Sequence, residues 1–505
     1  MTYIAFQDYP KEPVVIDNLS MEFMKQSKFI PLEMDNGTLR IAMADPNDFY
    51  TIDALKLAYG TKIEACKGRE EDIVEAIEKI YGMGSQSIET IIEEAGKDIY
   101  DISPSGEEDA DHLRDLAAEA PIIRLVNRLI LNAVEVRASD IHFEPFEQEF
   151  KVRYRIDGVL HDVESPPNRL QAAIISRVKI MAKLDIAERR LPQDGRIKLK
   201  IGDKEIDFRV STLPTLFGES LVMRILDRDT LVFDLEKLGF PKEFLSQYDE
   251  LVSQPYGMIL VTGPTGSGKT STLYTTLEKI NSPENKIITL EEPVEYQLNG
   301  VNQIQVNPKI GMTFANGLRS IVRQDPDIIL VGEIRDKETA RIAIQSALTG
   351  HLLFSTLHTN DAAGAITRLL DMGVENFLLS STLLGVLAQR LVRVICPNCK
   401  EIHFPEEKLL KSMGLSAEEA VGIDFFLGKG CEECRYTGFK GRTAIFEYLP
   451  VDDSIRQAII KKSSTEKIKD IAIRKGMNTL RQDGWRKVLK GETTISEVLR
   501  VTLEK

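Results

Sequence analysis

Gly263-Pro-Thr-Gly-Ser-Gly-Lys-Thr270 is the stretch that decides the fold of the larger part of this 505-residue sequence. It fits the pattern G-x-x-x-x-G-K-[ST] and lies between an apolar run, Met258-Ile-Leu-Val-Thr262, and the helix-like Ser271-Thr-Leu-Tyr-Thr-Thr-Leu-Glu-Lys279. A strand, a glycine-rich loop and a helix in this order predict a phosphate-binding loop, because backbone N–H groups and the positive end of the helix dipole surround an anion there. The alternative, a plain glycine-rich turn, rarely falls between a buried strand and a helix.

The loop also predicts roles for individual side chains. We expect Lys269 to reach the β and γ oxygens of a nucleoside triphosphate and the Thr270 hydroxyl to ligate Mg²⁺. The predicted nucleotide-binding residues are Gly263, Pro264, Thr265, Gly266, Ser267, Gly268, Lys269, Thr270 and Ser271.

Three further strand-like runs end in polar side chains, and the carboxyl ends of parallel strands meet at one edge of a sheet. Glu333 follows Ile328-Ile-Leu-Val331, at the place where an acidic residue organises Mg²⁺ and polarises the attacking water. The other candidates are Glu291, Glu292 and Glu295 after one strand, and His358 after another strand that His351 precedes. The sequence leaves open which carboxylate is the general base, and whether His358 senses the γ-phosphate or only ends its strand.

Arginines stabilise the charge of a phosphoryl-transfer transition state, and several lie near these motifs in sequence. For each of them the alternative is an ordinary solvated side chain. The candidates are Arg319, Arg323 and Arg335 in the loop-bearing unit and Arg155, Arg209 and Arg224 in the unit before it. Arginine fingers supplied from outside the phosphate-loop unit accelerate other phosphoryl transfers, so an arginine-bearing neighbour domain is a candidate switch for the reaction.

Four of the five cysteines form two pairs, Cys396-Pro-Asn-Cys399 and Cys431-Glu-Glu-Cys434, with 31 residues between them. Two such knuckles can give four thiolates to a tetrahedral zinc ion with no open position, which predicts a structural site. The spacing exceeds the common range of about 15–20 residues, so an inserted segment must fill it. A thioredoxin-like redox pair is the competing interpretation. The fifth cysteine, Cys66, is expected to be a small buried residue.

The composition is typical of a soluble globular protein, with 43% hydrophobic and 28% charged residues. A net charge of −14 argues against a chain-wide surface for nucleic acid. The N-terminus lacks the basic and apolar pattern of a signal peptide, and no run of about 18 apolar residues predicts a membrane span. We therefore expect a cytoplasmic protein.

Changes in composition and periodicity divide the chain into six segments. Residues 85–119 contain eleven acidic and two basic residues, with a break at Ser103-Pro-Ser-Gly106, which predicts a solvated linker. Alternating strand-like and helix-like runs around the phosphate loop predict a mostly parallel sheet. The predicted segments are an N-terminal α/β domain (1–81), an acidic linker (82–119), a second α/β domain (120–235), the phosphate-loop core (236–395), a tetracysteine subdomain (396–440) and a C-terminal helical region (441–505).

Together these motifs resemble those of the secretion ATPase superfamily, and most closely its type II secretion branch. The resemblance covers about residues 120–450, in the family's order, whereas residues 1–120 carry no motif that matches. The matching strings are the phosphate loop, Ala138-Ser-Asp-Ile-His-Phe-Glu-Pro145, Leu191-Pro-Gln-Asp-Gly-Arg196, Thr289-Leu-Glu-Glu-Pro-Val-Glu-Tyr296, Leu318-Arg-Ser-Ile-Val-Arg-Gln-Asp-Pro-Asp327, Gly332-Glu-Ile-Arg-Asp336 and Leu348-Thr-Gly-His-Leu-Leu-Phe-Ser-Thr-Leu-His-Thr-Asn360.

The resemblance implies a multidomain α/β ATPase that uses ATP and Mg²⁺, with a RecA-like core, a PAS-like second domain and a zinc-binding insertion that holds the four cysteines. The family's boxes correspond to Glu291, Glu292 and Glu295 (acidic), Glu333 (Walker B) and His351 and His358 (histidine). The resemblance also implies a nucleotide between the second domain and the RecA-like core. The arginines that it assigns are Arg155, Arg209 and Arg224 for the phosphates, and Arg319, Arg323, Arg335 and Arg442 for the site or the subunit contact.

At the level of assembly, the resemblance implies a cytoplasmic homo-hexamer held at the bacterial inner membrane through partners. Its N-terminal domain is expected to dock onto the cytoplasmic part of an inner-membrane platform protein, with the lipid surface as a further partner and without nucleic acid. In this family ATP hydrolysis drives growth of a pseudopilus that expels folded proteins.

Three alternatives stay open at this point. A type IV pilus-assembly ATPase shares the core motifs but usually carries a longer N-terminal region. A RecA-like nucleic-acid translocase is disfavoured by the acidic balance and by the lack of aromatic residues interleaved with basic ones. A scaffold that binds ATP without hydrolysing it is disfavoured by the intact Lys269, Thr270 and Glu333.

Overall fold

The computed structural model describes residues 21–35, 38–80, 110–163, 165–201, 204–226, 234–416 and 418–502, together with residues 3, 4, 9, 10, 14 and 19. The chain divides into two compact units, Met1–Asp227 and Arg228–Lys505. Each unit has its own hydrophobic cores, and the two are described separately. Within the described ranges, no helix is both long enough and apolar enough to cross a membrane.

The N-terminal part of the first unit is a small α/β domain. Its strands are β1 (Phe29–Asp35), β2 (Thr38–Met43) and β3 (Lys62–Lys67), and its helices are α1 (Met21–Gln26), α2 (Phe49–Tyr59) and α3 (Glu70–Ile80). Strand β2 pairs antiparallel with β1 and parallel with β3. The helices and the sheet enclose a core that contains Phe29, Leu39, Ile41, Leu55, Ile73 and the buried Cys66.

The predicted linker at 82–119 needs a correction at its C-terminal end. Residues 82–109 lie outside the described residues, but Ala110–Ala118 forms helix α4. Leu113 and Leu116, spaced as on one helix face, are buried, and α4 packs against a helix at Gln171–Met181. The high acid content of the whole segment concealed this short amphipathic pattern, so these residues belong to the second domain and not to a solvated linker.

The second domain is built on a six-stranded antiparallel sheet in the order β6-β5-β4-β9-β8-β7. The elements are α5 (Ala120–Glu135), β4 (Asp140–Pro145), β5 (Phe150–Ile156), β6 (Val159–Asp162), α6 (Gln171–Met181), β7 (Gln193–Ile201), β8 (Lys204–Thr215) and β9 (Gly218–Leu226). Side chains alternate between the two faces of each strand, and one face forms a core with α5 and α6. The opposite face carries mostly charged and polar side chains.

The second unit contains a seven-stranded sheet in the order β12-β11-β13-β14-β10-β15-β18 and a separate two-stranded ribbon, β16-β17. All neighbours in the large sheet are parallel except the antiparallel pair β15–β18. The strands are β10 (Gly257–Thr262), β11 (Ile287–Glu291), β12 (Val301–Gln305), β13 (Ile328–Val331), β14 (Leu352–Leu357), β15 (Leu383–Ile395), β16 (Lys400–Ile402), β17 (Phe426–Gly428) and β18 (Phe439–Pro450).

Helices cover both faces of this sheet, so the side chains of β10, β11, β13 and β14 are buried on both faces. In β10, Met258 and Leu260 belong to one core, whereas Ile259 and Val261 belong to the core on the other face. The helices are α7 (Leu235–Leu238), α8 (Lys242–Val252), α9 (Lys269–Ile280), α10 (Phe314–Ile321), α11 (Lys337–Leu348), α12 (Ala362–Asp371), α13 (Asn376–Thr382), α14 (Glu407–Ser412), α15 (Asp453–Ile460), α16 (Thr465–Arg474), α17 (Leu480–Leu489) and α18 (Ile495–Thr502). The predicted α/β fold with a mostly parallel sheet is confirmed.

The predicted helical region at 441–505 begins instead with most of strand β18. Residues Thr443-Ala-Ile-Phe-Glu-Tyr-Leu449 are rich in β-branched and aromatic side chains, and β18 pairs antiparallel with β15 along Gly385–Ile395. Helices α15 to α18 follow, as expected for the rest of the segment. The large sheet therefore extends past the tetracysteine segment and takes its last strand from beyond it.

Candidate nucleotide-binding site

The phosphate loop connects the carboxyl end of β10 to the amino end of α9. Gly263 (φ 154°), Gly266 (φ 79°) and Gly268 (φ 87°) have left-handed or related backbone conformations that favour glycine. A Cβ atom at Gly263 would also lie 2.6 Å from the Gln389 carbonyl oxygen. The loop therefore needs glycine both for its backbone angles and for its close approach to β15.

Lys269 lies at the first position of α9 and folds back over the loop. Its Nζ donates hydrogen bonds to the carbonyl oxygens of Gly263 at 2.7 Å and Pro264 at 3.1 Å. Burial lowers the pKa of Lys269 to about 8; the Glu333 charge opposes this shift and the Arg390 charge adds to it. Thr270, the predicted Mg²⁺ ligand, is exposed beside it. The ammonium group and the hydroxyl thus stand together at the start of the helix.

The structure brings three of the predicted strand ends into one charged cluster. Arg335 forms ion pairs with Glu333 and, at 2.9 Å, with Glu292, while His358 Nε2 lies 3.2 Å from Glu333 Oε2. Burial raises the pKa of Glu333, but Arg335 and His358 outweigh it and leave the pKa below its ordinary value. Glu333 is therefore a carboxylate at neutral pH, as a residue that polarises water must be.

Glu291 faces a different environment from its neighbour Glu292. It is buried and accepts hydrogen bonds from Tyr274 Oη, from Thr289 Oγ1 at 2.5 Å and from Gln303 Nε2 at 3.3 Å. Burial raises its pKa although these donors oppose the shift. The Glu295 backbone N–H donates to the same Tyr274 Oη at 3.3 Å. Glu291 thus ties β11 to α9, whereas Glu292 belongs to the charged cluster.

His351 lies at the opposite edge of the sheet from the phosphate loop. Strands β14 and β10 are parallel with Leu352 paired to Gly257 and Leu357 paired to Thr262, so His351 precedes the strand that His358 follows. At about 3.3 Å per residue, the two histidines are roughly 20 Å apart. His351 Nδ1 lies 2.8 Å from the Ser346 carbonyl oxygen. One chain therefore does not bring His351 to its own phosphate loop.

The remaining arginines of this unit are engaged with other groups. Arg319 pairs with Glu338 and donates to Asn316 Oδ1 at 3.1 Å. Arg323 donates to the Arg319 carbonyl oxygen at 2.8 Å. Arg442 stands opposite Arg393 in the β15–β18 pair. Among these candidates, Arg335 is the residue that the structure joins to Glu333.

Sequence reasoning missed two residues on β15, Gln389 and Arg390. Gln389 Oε1 accepts a hydrogen bond from Thr272 Oγ1 at 2.8 Å, and Arg390 Nη2 donates to the Asn360 carbonyl oxygen at 2.8 Å. They link α9 and the segment after His358 to the central strands. The sequence signal that could have identified them is a Gln-Arg pair within the otherwise mostly apolar run Leu383–Ile395. Polar side chains in a buried strand need hydrogen-bond partners, so such a pair predicts contacts with polar groups nearby.

The second domain places its predicted arginines on one sheet. Arg224 Nε donates to Asp140 Oδ1 at 2.9 Å, and Arg155 Nε lies 3.8 Å from Asp140 Oδ2. Arg209 stands directly opposite Arg224 on the neighbouring strand. Two of the three arginines selected from sequence, Arg155 and Arg224, are therefore joined through Asp140, a carboxylate that was not selected, and Arg209 lies next to Arg224 in the strand register.

The four paired cysteines form a compact cluster whose sulfur atoms all lie within 4.8 Å of one another. The distances are 3.9 Å for Cys396–Cys431, 3.7 Å for Cys399–Cys434 and 3.8 Å for Cys431–Cys434, and all four thiols are free. A tetrahedron of Zn–S bonds of about 2.3 Å has edges of about 3.8 Å. Backbone N–H groups of Gly430 and Gly438 donate to these sulfurs, which favours thiolates. The donor set and its spacing fit zinc.

Comparison with known proteins follows the same division of the chain. Residues 115–500 match the family described as Type II/IV secretion system protein, and residues 1–87 match the MshEN domain. The second match corrects the expectation that the N-terminal region carries no recognisable motif.

Two curated relatives cover nearly the whole chain. Type II secretion system protein E of Xanthomonas campestris pv. campestris is 54% identical over 96% of this chain and 85% of its own length. Type IV pilus assembly ATPase PilB of Myxococcus xanthus is 46% identical over 98% of this chain and 88% of its own length.

Solved structures show the same fold. The pilus retraction motor PilT with bound ADP is 27% identical, with a TM-score of 0.50 over 74% of this chain and 96% of that chain. The ATPase DotB of Legionella pneumophila, 20% identical with a TM-score of 0.54, covers 74% of this chain and 94% of that chain and shares the fold. The chain therefore belongs to the type II/IV secretion system protein family.

Proposed function

We propose that this chain is the ATP-hydrolysing motor of a type II secretion system, which powers pseudopilus assembly and protein export. The observation that carries the proposal is the contact of Glu333 with Arg335 and His358 at the edge of the sheet where the phosphate loop lies. The family membership and the 54% identity to a type II secretion protein E support it.

In the proposed reaction, the phosphate loop holds ATP and Lys269 neutralises charge on the β and γ phosphates. Thr270 would ligate Mg²⁺, which would supply Lewis-acid stabilisation of the phosphate oxygens when bound. Glu333, held ionised, accepts a hydrogen bond from the attacking water and orients it. Arg335 keeps Glu333 and Glu292 in place, and His358 reports through Glu333 on the state of the γ-phosphate.

The candidate residues that the structure does not join to the Glu333 cluster have another proposed role. His351, Arg319, Arg323 and Arg442 would act at contacts between copies of a homo-hexamer. The N-terminal domain would bind the cytoplasmic part of an inner-membrane platform protein and its lipid surroundings. This assembly would work at the cytoplasmic face of the inner membrane.

The experiment that tests the proposed function is replacement of a host's type II secretion ATPase by this chain, with ATP turnover measured on the purified protein. Restored export of folded proteins, lost again with Lys269→Ala, is the expected result. Active protein that restores pili but not export would instead support the second candidate, a type IV pilus-assembly ATPase, which the 46% identity to PilB favours. A protein without ATP turnover would refute both.

We also propose that the tetracysteine cluster binds one structural zinc ion per chain. Cys396 and Cys434 are buried, and both pairs join the ends of a segment that packs on α17 and α18. Metal analysis of the purified protein should find about one zinc per chain, and Cys434→Ser should lose it and lower the melting temperature. A fully folded, metal-free protein would contradict this proposal.

A further inference from the structure

Arg390 of β15 is a buried cation beside the phosphate loop. In the parallel pair of β10 and β15, Thr262 stands opposite Ala388, so Arg390 lies two residues past this pair, where β10 has given way to the loop. A Cβ atom at Gly263 would lie 3.2 Å from Arg390 Nη1, and Arg390 is only 7% exposed. The guanidinium group therefore lies against the first glycine of the loop, within the second unit.

The hydrogen bonds of Arg390 go to neutral oxygen atoms. Nη2 donates to the carbonyl oxygen of Asn360 at 2.8 Å and to its Oδ1 at 3.3 Å, and Nη1 donates to the Gln389 carbonyl oxygen at 3.1 Å. Burial lowers the pKa of Arg390, and Glu447 and Asp361 oppose this shift as charges and not as hydrogen-bond acceptors. A buried cation is costly unless carboxylates pair with it directly. A charge that the fold keeps at such a cost points to a function.

The segment that Arg390 contacts, residues 358–362, leads from the end of β14 to the start of α12. Thr359 N–H donates to Thr262 Oγ1 at 2.9 Å, and the hydroxyl oxygens of these two threonines are 2.7 Å apart. The next residue, Asn360, is the one that Arg390 holds. The segment is thus fixed to β10 by a threonine pair and to β15 by the guanidinium group.

His358 is the first residue of this segment and the one that reaches the charged cluster of the candidate site. Its Nε2 lies 3.2 Å from Glu333 Oε2, but its side chain is 49% exposed, so packing around the ring does little to hold it there. The position of the ring therefore depends on the backbone that carries it. Strand β14 fixes that backbone up to Leu357, and Thr262 and Arg390 fix it after His358.

We propose that Arg390 is a positioning residue for ATP hydrolysis, which holds the Asn360 backbone beside the phosphate loop and thereby keeps His358 in contact with Glu333. The planar fork of the guanidinium group suits this task, because it reaches two oxygen atoms of Asn360 and one of β15 at the same time. The missing side chain at Gly263 leaves the room that the group occupies. This inference rests on the proposed function and adds to it a residue that acts through His358.

Arg393, three residues later on the same strand, offers a matched control. It donates to Glu497 Oε1 at 2.7 Å, in the structural pair with α18. Arg390→Lys and Arg393→Lys each keep the charge and lose the planar fork. In steady-state ATP hydrolysis and thermal unfolding of the full chain, Arg390→Lys should lower kcat about tenfold with an unchanged KM for ATP, as displaced groups do. Arg393→Lys should keep its kcat and lower the melting temperature.

Two results would overturn the proposal. An unchanged kcat in Arg390→Lys, with or without a lower melting temperature, would leave Arg390 a purely structural residue. A raised KM with an unchanged kcat would mean that Arg390 shapes the loop and not the segment that carries His358.

A double-mutant cycle tests whether Arg390 acts through His358. If it does, the loss of kcat in Arg390→Lys combined with His358→Ala is clearly smaller than the product of the two single losses. A combined loss equal to that product would mean that the two residues act independently, which contradicts the proposal.

Asn360→Ala carries the test if Arg390→Lys does not fold. It removes one acceptor of the guanidinium group and leaves the arginine in place, so kcat should fall several-fold, and an unchanged kcat contradicts the inference. Failure of the proposed function would look different, because the wild-type chain would then lack ATP turnover that Lys269→Ala abolishes. An active wild-type chain with an equally active Arg390→Lys variant would refute the role of Arg390 alone.

Discussion

The charged clusters around Glu333 and Glu497, both in the second unit, differ in the ratio of carboxylates to guanidinium groups. Glu333, 17% exposed, shares Arg335 with Glu292 and also contacts His358, so one guanidinium serves two carboxylates. Glu497 in α18, 2% exposed, has two guanidinium groups to itself: Arg393 Nη2 donates at 2.7 Å and Arg500 Nη2 at 2.8 Å. In the first cluster two carboxylates share one guanidinium group, whereas in the second two guanidinium groups serve one buried carboxylate.

This difference indicates how a carboxylate that takes part in a reaction can be distinguished from one that stabilises the fold. Removing a buried carboxylate that two guanidinium groups of the same fold hold is strongly destabilising, because it leaves the cations without their partner. A cluster with surplus acid at the ends of buried strands costs stability and keeps carboxylates available for chemistry. We therefore expect substitutions in the Glu333 cluster to change turnover with little change in stability, and substitutions in the Glu497 cluster to do the reverse.

The largest effect is expected from Lys269→Ala at the phosphate loop. Loss of the ammonium group removes the positive charge that neutralises the transferring phosphate, which should lower the rate of phosphate release by about 10³-fold. The melting temperature should stay near that of the wild type. Lys279→Ala, at the far end of the same helix in an exposed pair with Asp249, is the control and should remain active. Wild-type turnover in Lys269→Ala would end the assignment of the loop.

Glu333→Gln should have the next largest effect. The amide keeps the size of the side chain but cannot act as a base, so turnover should fall by about 10²-fold or more. Nucleotide affinity, measured with a fluorescent ATP analogue, should remain, because the loop itself is intact. An unchanged turnover number would move the role of general base to another carboxylate.

Glu497→Gln should change stability and not turnover. Arg500 and Arg393 overcome the effect of burial and lower the pKa of Glu497 to about 2 from an ordinary 4.5. A carboxyl group with a lowered folded pKa stabilises the fold above pH 4.5, and the contribution is lost as pH falls toward about 2. Urea unfolding at pH 7 should show a loss of about 2 kcal/mol.

The same variant has a pH signature that an unrelated loss of packing would lack. The difference in unfolding free energy between wild type and Glu497→Gln should shrink as pH falls below 4.5. A constant difference across that range, or a large loss of turnover at pH 7, would show that the two clusters do not divide stability and activity as proposed.

The smallest expected effect on turnover distinguishes Glu291, the last residue of β11, from Glu292, which follows the strand. Glu292→Gln weakens the Arg335 bridge and should lower turnover by several-fold. Glu291→Gln keeps a group of the same shape among Tyr274, Thr289 and Gln303, and its turnover should stay close to that of the wild type. Equal losses in both variants, measured under saturating ATP, would mean that Glu291 also contributes directly to the reaction.

Local sequence was enough to predict the groups whose positions depend on residues close to them in the chain. The phosphate loop is a strand, a turn and a helix in succession, so Lys269 and Thr270 could be placed without knowing the rest of the fold. Glu333 and His358 followed from the rule that parallel strands present their carboxyl ends at one edge. The cysteine pairs predicted a four-sulfur cluster because each knuckle is itself local.

Other features needed information from distant parts of the chain. Helix α4 escaped detection because the acidic residues around Leu113 and Leu116 dominated the composition. Strand β18 was assigned to a helical region because its partner, β15, lies on the other side of the tetracysteine segment. Gln389 and Arg390 could be identified as neighbours of the phosphate loop only from the pairing of β15 with β10.

What the sequence by itself determined is the chemistry: a phosphate loop, an acid after a buried strand, a histidine after the next strand and two cysteine knuckles. Only the tertiary structure decided how these groups are shared. It separated Glu291 from Glu292, placed His351 at the far edge of the sheet and aligned Asp140 with Arg155 and Arg224. The physical reason is that strand register and burial, which set every one of these contacts, are fixed by pairing between residues far apart in the chain.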